Sequence, residues 1–265
     1  MEFNLTVRAA VCPLYSAPDP ESERVDEVLS GWSLWGAPEK RGWYAVTTDY
    51  GYEGYAPAEH VRRDVDWVSR EKWTVARSHC DVLSGPELRC PLLTGLVRGS
   101  LAVPLGAAGD WQKIALPDGR EGYTRAENLG KTPRFDREED LRAALTETAL
   151  SYLGTQYRWG GKSPLGVDCS GLVFMAYRLC GVTIWRDSTI KPGFPVHAVD
   201  FSEKKPGDLL YFPGHVAMYL GDGEYVHATA RTGDDGVTVS SLERSSPRYR
   251  ADLAEKLLAV GSVFP

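Results

Sequence analysis

The sequence predicts a multi-domain chain. Two small all-β barrels, over residues 1–64 and 65–131, precede an α+β domain over residues 132–265. Three observations carry this reading. Residues 7–61 fall onto 75–129 without a gap when the sequence is slid by 68 positions. Each copy breaks into short apolar runs divided by turns. From Asp136 onward the spacing becomes helical. A chain of 265 residues has room for one to three domains with real cores.

The repeat is carried by Val7/Val75, Cys12/Cys80, Ser16/Ser84, Pro18/Pro86, Gly31/Gly99 and Trp43/Trp111. Near its end Gly51, Glu53, Gly54, Tyr55, Ala58 and Glu59 each meet an identical partner. Chance does not produce that register. About five short strands in ~65 residues, with glycines between the runs, indicate a small closed β-fold. Cys12 and Cys80, at one repeat position, read as small buried hydrophobes. Trp43 and Trp111 read as core.

After a Lys131-Thr-Pro-Arg134 linker, Asp136-Arg-Glu-Glu139 resembles a helix N-cap with an acid three residues on. Leu141, Ala144, Leu145, Thr148, Ala149 and Tyr152 follow at helical spacing, and Gly154 supplies a stop. A second helix begins at Asp168-Cys169-Ser170-Gly171 and ends at Gly181. It is apolar on nearly every face and is expected to be buried. Cys169 at its first turn feels the positive end of the macrodipole, which favours thiolate. Cys180, at the far end, reads as inert.

The run from Asp208 to Thr229 reads as strands, with a hairpin turned at Gly221-Asp222-Gly223. A two-residue Asp-Gly turn would place His215 and His227 on opposite faces. A three-residue loop pairs Leu220 with Glu224 and puts both histidines on one face; glycine favours it. A helix-start cysteine followed by a histidine and a second polar residue on a sheet is the arrangement of a cysteine nucleophile with its base and orienting group. The rival is a Cys-His-His zinc site, but the spacings match no compact zinc motif and a fourth ligand is not evident. Catalysis fits the motif better.

Composition narrows the class. Lys+Arg is 30 against Asp+Glu 36, a net charge of −6. That points away from nucleic acid and anionic membranes as partners. No apolar stretch approaches the ~20 residues of a membrane span. Five cysteines without a CxxC give neither a disulfide framework nor a zinc ribbon. The N-terminal residues lack the basic and apolar regions of a secretory signal, so the expectation is a cytoplasmic protein.

The repeats resemble bacterial SH3-like domains, over residues 5–63 and 67–131. Tyr157-Arg-Trp-Gly-Gly161, Asp168-Cys-Ser-Gly-Leu172, Pro206-Gly-Asp-Leu-Leu210 and Gly214-His-Val-Ala-Met-Tyr-Leu-Gly221 resemble the NlpC-type papain-like cysteine peptidases of bacterial cell-wall peptides. Together the domains resemble the γ-D-glutamyl-L-diamino-acid endopeptidases of cell-wall recycling. The resemblance implies hydrolysis of the bond after γ-D-Glu in small murein peptides with free N-terminal L-Ala, without metal or organic cofactor. It implies Cys169 as nucleophile, His215 as base and acid, His227 as its orienting group and Tyr157 as support at the oxyanion. It places Asp168 and Ser170 at the glutamyl subsite, and Asp187 and Ser188 at the substrate's amino end. From the first barrel it implies Tyr52, in Gly51-Tyr52-Glu53-Gly54-Tyr55, and an acid, Glu27 with Glu53 as fallback, capping that amino end. The alternative is an exported peptidoglycan-binding hydrolase or amidase acting on intact wall. The diamino acid and the oligomeric state are left open.

Overall fold

The computed structural model describes residues 3–38, 40–63 and 65–265. The chain divides into two compact units, Met1–Thr132 and Pro133–Pro265. Strand dominates, helices are few, and among the described residues no helix is long and apolar enough to cross a membrane.

The first unit holds two seven-stranded antiparallel sheets. In the first, the strands lie in the order Arg24–Leu29, Val11–Tyr15, Glu53–Pro57, Trp43–Thr48, Ser33–Gly36, Phe3–Val7 and Val61–Arg63. In the second the order is Leu92–Val97, His79–Leu83, Glu121–Arg125, Trp111–Ala115, Leu101–Ala108, Trp73–Val75 and Leu129–Gly130. Six of the seven strands begin 68 residues after their counterparts, so the sequence repeat is a repeat of fold. The interiors match too: Val7, Cys12, Leu14, Val28, Leu34, Val46 and Val61 are buried, as are Val75, Cys80, Val82, Leu96, Ala102, Ile114 and Leu129. Burial raises the thiols of Cys12 and Cys80, as expected of packed, inert sulfurs. Trp43 departs from its expected core role. It is half-buried, edge-on to Tyr15 at 5.6 Å, whereas Trp111 is buried under the Arg125 guanidinium.

The sheets are joined by hydrogen bonds between equivalent turns. Trp32 Nε1 donates to Gly99 O and Trp67 Nε1 to Gly31 O, both at 2.8 Å, and Leu101 N donates to Ser30 O. Trp67, in the short helix Val65–Ser69, also packs on Val103 and Ala115 of the second sheet.

In the second unit, helix Glu138–Leu150 starts two residues later than its expected cap. Arg137 occupies the cap position, one residue after the expected Asp136; its side chain caps no backbone N–H and pairs with the Asp140 carboxylate instead. Leu145, Ala149 and Tyr152 carry the buried face. Helix Cys169–Leu179 is buried at every residue from Cys169 to Tyr177. A six-stranded antiparallel sheet runs His197–Val199, Ala259–Ser262, Leu209–Phe212, His215–Gly221, Glu224–Thr229, Gly236–Ser241. Leu210, Phe212, Ala217, Tyr219, Tyr225 and Val260 form its apolar cluster.

Trp67→Ala is expected to cost about 3–5 kcal/mol, from lost packing and an orphaned Gly31 carbonyl. Trp67→Phe should retain most of the packing term, so denaturant unfolding of the two variants separates the contributions.

Candidate active site

The segment 157–171 is built around one buried carboxylate. Asp168 sits just before helix Cys169–Leu179 as its N-cap, with Oδ1 accepting from Gly171 N at 2.6 Å. Its Oδ2 accepts from Gly160 N at 2.8 Å, which fastens the Tyr157–Gly161 loop to the helix start. Arg186, itself 1% exposed, grips both carboxylate oxygens, Nη1 to Oδ1 at 3.0 Å and Nη2 to Oδ2 at 2.9 Å. Arg186 Nη1 also donates to Ser170 Oγ at 2.7 Å, and Ser170 Oγ donates to Asp168 Oδ1. A side chain at Gly171 would strike the Gly161 carbonyl, so the loop reaches the helix only because that residue is glycine. Asp168 and Ser170 are thus joined with Arg186 in one buried network at the start of helix Cys169–Leu179.

Cys169 is the first residue of that helix. The backbone N–H groups of Val216 and Ser170 act on its sulfur, and Val216 follows His215 directly in the chain. Burial, and next the Asp168 carboxylate, push the thiol up to about 11, against the pull of those N–H groups and of Arg186. This corrects the expectation of a resting thiolate. The end of a helix contributes only about half a charge, and loss of solvent outweighs it here.

The histidines reach one face by a different turn from the expected one. Asp222 and Gly223, both at positive φ, form a two-residue turn in which Gly221 pairs with Glu224. The register then shifts by one residue between Tyr219 and Gly221, so Tyr219 pairs with Tyr225 and Met218 with Val226. Gly221, at φ 106°, supplies the conformation that the bulge needs. This bulge restores the odd register of a three-residue loop. His215 Nε2 and His227 Nδ1 lie 2.8 Å apart with the rings nearly perpendicular. Ring nitrogens facing each other at that distance share a proton. Among the described residues no group of three or more His, Cys, Asp or Glu side chains is placed to hold a metal ion. His227 Nε2 meets Ser240 Oγ at 3.0 Å.

Burial, then the Arg250 guanidinium, lowers His215 to about 4. Burial, then His215 and Arg250, lowers His227 to about 3. The resting trio is therefore a neutral thiol and two neutral imidazoles.

Of the remaining expected residues, Tyr157 is half-buried and close enough to Cys169 for the sulfur's charge to raise its hydroxyl, after burial. Asp187 and Ser188 are half-buried and follow Arg186 directly in the chain. Glu27 and Tyr52 belong to the first unit. Glu27 is fully buried, with Arg24 Nη1 3.7 Å from its Oε2. Tyr52 is half-buried beside Tyr50, and Glu53 is exposed. Two residues escaped the sequence reading. An aspartate directly before a helix was a legible cap signal, but no spacing reveals that Arg186 would neutralise it. Ser240 lies on a separate strand and has no local motif.

Arg186→Met leaves Asp168 buried without its partner and is expected to cost about 3–5 kcal/mol in denaturant unfolding; lysine, lacking the two-pronged grip, recovers only part of it. Both imidazoles are held below their ordinary 6.5, so the unfolded chain binds more protons in this window and stability falls as pH drops from 6.5 towards 4. The acid limb of kcat/KM is accordingly expected well below pH 6.5, and alkylation of Cys169 should rise only in the alkaline range. An alkylation profile with its midpoint below pH 7 would contradict the neutral resting pair.

A model described as the NlpC/P60 family matches residues 154–254. The chain is 40% identical over 273 residues, 99% of its length and 100% of the relative's, to the Dipeptidyl-peptidase 6 of Lysinibacillus sphaericus. It is 36% identical over 126 residues, 44% of this chain and 37% of the relative, to a Gamma-D-glutamyl-L-lysine dipeptidyl-peptidase of Bacillus cereus. A crystal structure of an NlpC/P60 family protein from Bacillus cereus covers 99% of this chain and 100% of its own with a TM-score of 0.82, a likeness of fold at 21% identity. Identity of this order along the whole chain places it in the NlpC/P60 family of cysteine peptidases.

Proposed function

We propose that this peptidase hydrolyses the bond between γ-D-Glu and a diamino acid in murein stem peptides with a free N-terminal L-Ala, in the cytoplasmic recycling of cell-wall peptides. The observation that carries the reading is a cysteine at a buried helix start, Cys169, whose sulfur feels the N–H of Val216, the residue after His215, together with the coupled His215–His227 pair. The full-length relative supports the substrate class, since it is named a dipeptidyl-peptidase and a second relative is named for γ-D-glutamyl-L-lysine. The two repeated sheets of the first unit are read as SH3-like barrels, residues 1–64 and 65–131, ahead of a papain-like domain.

In this mechanism the thiol proton passes to His215 Nδ1 as sulfur attacks the γ-carbonyl carbon. His215 Nε2 is engaged by His227, so Nδ1 is the nitrogen left for the transfer. Backbone N–H groups at the helix start receive the oxyanion, with Tyr157 in support. The imidazolium then protonates the leaving amine, and water activated by His215 releases the dipeptide from sulfur. Because the resting pair is neutral, charge separates only as the bond forms. Asp187 and Ser188 are assigned to the substrate's amino group, where a desolvated ammonium needs carboxylate partners.

Cys169→Ala is expected to abolish turnover while the fold persists, and chelator to leave the parent enzyme unaffected. His215→Ala should lower kcat by roughly 10²–10⁴-fold, the usual worth of general acid–base help, and His227→Ala by less. Mass spectrometry of L-Ala-γ-D-Glu-diaminopimelate after incubation should show the dipeptide and the free diamino acid, with the N-acetylated peptide poorly cut. Asp187→Asn should raise KM for the free-amine peptide; equal cutting of both peptides by the parent enzyme contradicts the amino-end assignment.

A further inference from the structure

We infer that Ser240 is a positioning residue: it accepts the Nε2 proton of His227 and thereby holds the imidazole pair in the tautomer that leaves His215 Nδ1 unprotonated. The inference rests on the Cys169–His215–His227 reading above.

Each neutral imidazole carries one proton, so the chain His215–His227–Ser240 has two self-consistent arrangements. In one, His215 Nε2–H donates to His227 Nδ1 and His227 Nε2–H donates to Ser240 Oγ. His215 Nδ1 is then bare and can take a proton. In the other, every donor is reversed: Ser240 donates to His227 Nε2, His227 Nδ1–H donates to His215 Nε2, and His215 Nδ1 carries a proton it cannot exchange for that of the thiol. The contacts at 2.8 and 3.0 Å are the same in both.

The surroundings select between them. The Cys169 sulfur already receives N–H groups from Val216 and Ser170, so a third donor from His215 gains little, whereas the thiol proton needs an acceptor. At the other end, Tyr225 lies directly opposite Ser240 in the strand ladder. Its phenol oxygen is buried, and the Ser240 hydroxyl acts on it as a hydrogen-bond donor, so it is the acceptor on hand for the Ser240 hydroxyl proton. Burial pushes the phenol up to about 12, and it remains neutral. The other charged groups acting on the pair are Arg250 and its partner Asp252, joined at 2.8 and 2.7 Å. A cation behind the imidazoles opposes any further proton on them, which leaves tautomer choice to the serine.

The test combines kinetics with ¹⁵N spectra of the histidine rings in the full-length protein. In the parent, both His215 and His227 are expected as Nε2–H tautomers. Ser240→Ala should lower kcat about ten-fold with KM unchanged, roughly the worth of one hydrogen bond, and remove the defined Nε2–H signal of His227. Ser240→Thr, which keeps the hydroxyl, should restore both. A Nδ1–H tautomer at His227 in the parent, or an unchanged kcat or unchanged His227 signal in Ser240→Ala, overturns the inference. The spectra can also be recorded in Cys169→Ala: turnover retained by that variant refutes the catalytic reading, whereas the spectra judge the tautomer independently.

Discussion

A carboxylate taken out of water must be answered by donors and by a cation, and in this chain that requirement organises the site. Asp168 receives Gly160 N, Gly171 N, Ser170 Oγ and both terminal nitrogens of Arg186. Through those bonds one side chain fixes the helix start, the preceding loop and the Arg186 segment to one another. Cys169 lies next in sequence, so its direction follows from how Asp168 is held. Removing either ion partner leaves a buried charge, which costs far more than the pair contributes as a pair.

The same burial decides the protonation states. The helix start, the two N–H groups and Arg186 all pull the sulfur towards thiolate, yet desolvation and Asp168 outweigh them. Desolvation also keeps the histidines uncharged. Under the proposed mechanism the thiol proton would move as the sulfur–carbon bond forms, which suits an orienting group that fixes a tautomer rather than one that supplies negative charge.

Much of this was legible in the sequence, because periodic features survive folding. The 68-residue offset returned as strand-for-strand correspondence, and the Cys12/Cys80 pair lay in matching interiors. The helix from Cys169 could be read because an apolar run of that length with a glycine stop has few other uses. The face shared by His215 and His227 followed from strand parity, although the chain reaches that parity by a bulge at Gly221 and not by a longer loop. Trp43 was misread because repetition signals a shared position, not a buried one. Arg186 and Ser240 were out of reach for another reason: their partners are distant in sequence, and a single arginine or serine carries no local pattern. The expected cap at Asp136 missed by one residue, since helix ends carry the weakest local signal.

The central claim is that Cys169 forms an acyl-enzyme with the L-Ala-γ-D-Glu portion of a murein peptide. The most direct measurement is the intact mass of the protein, quenched in acid within the first turnovers on L-Ala-γ-D-Glu-diaminopimelate, with the modified peptide then mapped. The account predicts a dipeptide adduct on Cys169 that is absent from Cys169→Ala. Product release from the parent enzyme with no adduct under single-turnover conditions, or an adduct on another residue, would contradict it.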